Sequence, residues 1–162
     1  MKTPAHSAKL WLCVPLLAGA LLGSVGCGKS DSHSDDDHGK LHVHTAPHGG
    51  TLIELGEHEA NLELVRDANA GKLTAYLLDG HAENFLRVPL PGFQLTATAA
   101  GKSETLNFQA VANTATGEKV GDTSQFEAKA DWLKTTGEFQ GSIAELPIRT
   151  KVYKGIQFKF PK

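Results

Sequence analysis

The sequence predicts an all-β domain, an antiparallel β-sandwich or open barrel of about seven to eight strands, placed after a disordered polar tether. Three observations carry this expectation. From Thr51 onward, apolar residues recur at every second position in short runs. Gly, Asp, Asn and Pro break those runs at the spacing of turns. No window holds the 3.6-residue apolar spacing of a long helix, and no repeat of solenoid or propeller period is present.

The runs follow one another in order. Leu52 to Leu55 is the first, and Gly56-Glu57-His58-Glu59 turns into Asn61 to Asp67, where Leu62 and Leu64 share a face. Ala68 to Gly71 leads into Lys72 to Asp79, with Leu73, Ala75 and Leu77 alternating, and Asp79-Gly80 is a strong turn signal. Phe93, Leu95 and Ala97, then Leu106, Phe108 and Ala110, read as a hairpin about Gly101. Gln125 to Lys129 is a short strand, and Ala130 to Thr135 is one helical turn presenting Trp132. Phe139 to Leu146 resumes the alternation, and Thr150 to Phe160 ends it with Ile156, Phe158 and Phe160 on one face. Pro89, Pro91 and Pro147 fall at or near run ends, where a missing backbone donor costs least.

The first quarter of the 162-residue chain reads differently. Lys2 and Lys9 precede an almost wholly apolar or glycine stretch from Leu10 to Val25, the pattern of a secretory signal over residues 1–26. The rival is a retained membrane span of roughly 18 apolar residues. Pro15, the glycines, and the lack of a basic cluster after the stretch favour the cleaved signal. Residues 27–45 are then the tether, too polar to fold alone, and 46–162 the β-domain.

Ser24-Val25-Gly26-Cys27 resembles a bacterial lipobox, with Ser24 departing from the usual leucine. The resemblance implies a diacylglycerol on Cys27, membrane attachment through that lipid, and export to the periplasm. Gly28 beside it is compatible with sorting to the outer membrane. Acyl burial contributes about 0.8 kcal/mol per methylene, so the lipid would set the protein's address. Cys13 falls within the signal and Cys27 is consumed by lipid, so no disulfide is expected. Without Lys2 and Lys9, 14 basic residues face 18 acidic ones, which argues against a nucleic-acid partner.

Histidine supplies the chemical signal. Five of the eight histidines, His33, His38, His42, His44 and His48, fall between residues 33 and 48 beside Asp31 and Asp35 to Asp37. Imidazole and carboxylate together suit Zn, Cu(II) or Ni. If the chain from Leu41 is extended, His42 and His44 project to one side, and the bend at Pro47 returns His48 toward them. The expected ligands of a divalent transition metal are therefore His42, His44 and His48, with His38 and Asp37 as lesser candidates. The competing account is a solvated linker whose histidines do nothing. His58 and His81, each in an expected turn, read as ordinary turn residues. Met1 is the single methionine, which leaves no thioether or thiolate set for Cu(I).

The stretch Ala46-Pro47-His48-Gly49-Gly50-Thr51-Leu52-Ile53-Glu54-Leu55-Gly56 resembles the Pro-His-Gly-Gly segment of small exported β-domains, some found in the periplasmic adaptor subunits of heavy-metal efflux systems. The likeness runs to about Leu78 and implies a periplasmic, metal-associated context with His48 best matched. The helical hairpin and lipoyl-like parts of an adaptor are missing. No nucleophile elbow, catalytic cysteine in the mature chain, His-Glu-x-x-His helix or phosphate loop occurs, so a binding protein is expected rather than an enzyme. The alternative is an envelope interaction or structural module with a protein partner and an inert linker. Oligomeric state is not legible.

Overall fold

The computed structural model describes residues 44–161. The expected signal, Cys27, Asp37, His38 and His42 lie outside the described residues. Within them the alternation becomes eight antiparallel strands: β1 Thr51–Leu55, β2 Ala60–Asp67, β3 Lys72–Asp79, β4 Gly92–Ala99, β5 Lys102–Ala110, β6 Gln125–Lys129, β7 Phe139–Ile148 and β8 Lys151–Phe160. A single 3-10 turn, Asp131–Lys134, stands where one helical turn was expected. Among the described residues no helix is long and apolar enough to cross a membrane.

All eight strands belong to one sheet in the order β1-β2-β3-β6-β5-β4-β7-β8. The sheet curls into a nearly closed barrel, so of the two expected architectures the open barrel is the one formed. Strand alternation is the same in a sandwich and a barrel, which is why the pattern alone left both open.

The core lies inside the curl. Phe93 and Phe108, directly paired across β4 and β5, stack at 4.6 Å between ring centroids, and Phe126 of β6 meets Phe93 edge-on at 5.5 Å. Leu62, Leu64, Leu73, Leu77 and Leu95 have no exposed surface. Burying each such side chain contributes about 1.5–3 kcal/mol, which suits a domain without disulfides.

Strand β2 departs from simple alternation: Ala60 through Leu64 are buried on both faces. Glu63 points away from the leucines yet is covered. The register sets Glu63 against Leu52 and Glu54 against Asn61.

Candidate functional site

The site is built where the segment entering the domain meets two turns. Gly56 to Glu59 joins β1 to β2, and Gly80 to Ala82 follows β3. Both turns hold a non-glycine residue in the left-handed region, His58 at φ 58° and Ala82 at φ 59°. Such a conformation is uncommon for any residue that carries a Cβ and persists only where surroundings enforce it.

Those surroundings are specific. Gly80 is buried against the first turn, and a Cβ added there would collide with the carbonyl oxygen of His58. Only glycine lets the two turns pack this closely. Asn61 fastens them from beneath, its amide donating to the carbonyls of Asp79 at 2.9 Å and Gly80 at 3.0 Å. Its Oδ1 is buried without a partner. The Asp79 carboxylate shapes the second turn by accepting from Asn84 Nδ2 at 2.7 Å and from the Glu83 amide at 3.0 Å. The hydrogen bond from Asn84, foremost, holds the Asp79 carboxyl below its ordinary range.

His44 completes the group. Its ring meets His58 edge-on at 5.5 Å and His81 edge-on at 5.8 Å between centroids. His44 Nε2 stands 3.4 Å from His58 Nδ1, and that same His58 nitrogen stands 3.4 Å from Glu54 Oε1. The Glu54 oxygen also accepts the His58 backbone N–H at 3.0 Å. Glu59, on the same turn, is engaged elsewhere: Lys151 and then Tyr153 of β8 hydrogen-bond to it and hold its carboxyl below the usual range.

His48 takes a different place. Its backbone N–H and that of Gly50 donate to Glu63 Oε1 at 2.8 and 2.9 Å, and its Nδ1 lies 2.7 Å from Glu63 Oε2. A carboxylate has no proton to offer, so Nδ1 carries the hydrogen of this contact. The ring stacks on Tyr76 at 3.8 Å with an 11° tilt, beside the exposed Phe85.

No family model, curated protein or solved structure matches the chain.

Of the expected trio, then, only His44 is brought to other imidazoles. His48 is occupied by Glu63 and Tyr76, no hydrogen bond or ring contact joins it to His44 among the described residues, and His42, like His38 and Asp37, lies outside them. His44 gains instead His58 and His81, two residues the sequence marks only as turn positions. Among the described residues no three His, Cys, Asp or Glu side chains are already gathered about a point that holds a metal ion. What exists is a set of adjacent donors, with the His58 and Glu54 side chains 54% and 43% exposed.

Proposed function

We propose that this is a lipid-anchored envelope protein, exported and facing the periplasm from the outer membrane, that binds a divalent transition metal where its His-rich segment enters the β-domain. One observation supports the reading above others: His44, at the end of the His/Asp tract, sits in ring contact with His58 and His81 from two separate turns. Three imidazoles from segments far apart in sequence make a donor set that suits Zn, Cu(II) or Ni. The tract supplies local concentration, with His42, His38 and Asp37 as further donors. The resemblance of the Pro47-His48-Gly49-Gly50 segment to efflux-associated domains supports a link between such capture and metal efflux. The role is binding or buffering, not catalysis.

Calorimetric titration of the protein with Zn, Cu(II) and Ni, beside a variant with His44, His58 and His81 changed to alanine, tests the proposal. Saturable binding by the parent and its loss in the variant is the expected result. Equal, weak binding by both rejects it and turns the account to a second reading, an envelope interaction module with an inert linker. That reading is favoured by β8, which among the described residues ends the sheet with no strand beyond it and leaves Val152 47% exposed.

A further inference from the structure

We infer that the barrel end opposite the histidine turns binds a small amphipathic organic cation, an ammonium group on an apolar body, between Trp132 and the tip of the β4–β5 hairpin. The site shares no residue with the histidine group, and neither reading depends on the other. The two ends are set by the strands: the histidine turns precede β2 and follow β3, whereas Trp132 belongs to the 3-10 turn that lies against the β2–β3 turn, where the Ala130 N–H donates to the Gly71 carbonyl at 3.0 Å.

Register builds the site. Residues paired across an antiparallel hairpin point to the same side of the sheet. Along the inner face of β4 and β5 the pairs run Phe93 with Phe108, Leu95 with Leu106, Ala97 with Glu104, and Ala99 with Lys102. The first two pairs are bulky and buried, and they fill the barrel. The last two set an alanine against a charged residue, so the filling stops short of the hairpin tip. What is left is a cavity of about 430 Å³, lined by those four residues and, from the chain that follows β6, by Trp132 and Glu138. Small-molecule sites of about 300–1,000 Å³ favour the mouths of barrels.

Trp132 is held firmly in this wall. Leu133 beside it has no exposed surface, the Leu133 carbonyl accepts from Arg66 Nε at 2.6 Å, and the indole meets Phe139 edge-on at 5.7 Å. Yet the indole Nε1 is buried with no acceptor among the described residues. Buried indole donors normally have one, and such departures concentrate where function places the side chain.

Charge selects the ligand. One lysine and two glutamates line the cavity, and among the described residues none of Lys102, Glu104 and Glu138 takes part in an ion pair. Glu104 lies deeper than Lys102, because Ala97 across from it is buried and Ala99 is half-buried. A body resting on the alanines therefore has a carboxylate as its inner charged neighbour, and an indole wall attracts a cation further.

Trp132 reports on its own site. The sequence holds two tryptophans, Trp11 and Trp132, so full-length protein carrying Trp11→Phe, kept in nonionic detergent, has a single indole. Titration with phenethylammonium is expected to change its emission saturably, and titration with 3-phenylpropionate, an anion of similar shape, to leave it unchanged. Ala99→Leu fills the cavity and is expected to abolish the response. Glu104→Gln, an exposed change that leaves the core intact, is expected to weaken binding by about fivefold. A flat response to phenethylammonium, an equal response to both probes, or parent-like binding in either variant overturns the inference.

Discussion

A carboxylate with no exposed surface persists only if donors surround it, and Glu63 has three: two backbone amides and the His48 ring. These bonds fix residues 48–50 on β2 and so fix where the chain enters the domain, four residues after His44. Tyr76, stacked on the other face of His48, is half-buried, and that burial, above all, raises its phenol above the ordinary range. Tyr153 is raised too, by burial first and then by its hydrogen bond to Glu59. A raised folded value means stability that is fully present below the unfolded tyrosine value of about 10 and lost as pH climbs through the folded one. The chain has two tyrosines, Tyr76 and Tyr153. Ultraviolet titration of tyrosinate formation in the native protein is therefore expected to show no phenol ionising in the ordinary range; one that does so contradicts the packing described for its residue. At this scale the sequence was partly legible. It marked His44 as a candidate ligand and located both turns, but the contact between those turns depends on a buried Gly80 and on Asn61, and no local pattern reports which turns touch.

Among the elements, alternation carried most of the information. Strand β3 was readable from Lys72 to Asp79, and β2 and β8 to within a residue, because apolar residues at every second position have few other uses. The pattern did not report β2's burial on both faces, since a charged Glu63 between two leucines looks like a solvent-facing position until its donors are known. Nor did it report how β7 and β8 pack. Gly141 of β7 lies directly across from Phe158 of β8, whose ring covers it so closely that a Cβ at Gly141 would overlap the ring. An aromatic ring laid over a cross-strand glycine supplies the packing that the glycine lacks. Gly141→Ala should then destabilise the domain by about 1–3 kcal/mol, although alanine relieves the entropy cost of glycine. Denaturant unfolding measures it; a neutral or stabilising effect would show that Phe158 swings away at no cost.

For the molecule as a whole, eight strands in one curled sheet form a rigid platform from which short turns project. Order β3-β6-β5-β4 places a chain-distant strand in the middle, a long-range arrangement that sequence periodicity cannot encode because each strand looks alike. The same topology brings the β1–β2 turn, the turn after β3 and the entering segment together, so three histidines spread over nearly 40 positions of sequence become neighbours. The central claim is that these imidazoles, and not His48, take up the metal. Recording the ring-nitrogen resonances of isotopically labelled protein during a zinc titration tests it most directly. The account predicts that His44, His58 and His81 shift together and saturate at one zinc per chain while His48 keeps its bond to Glu63. Saturation confined to His48 or to the tract before residue 44, with His58 and His81 unmoved, would contradict it.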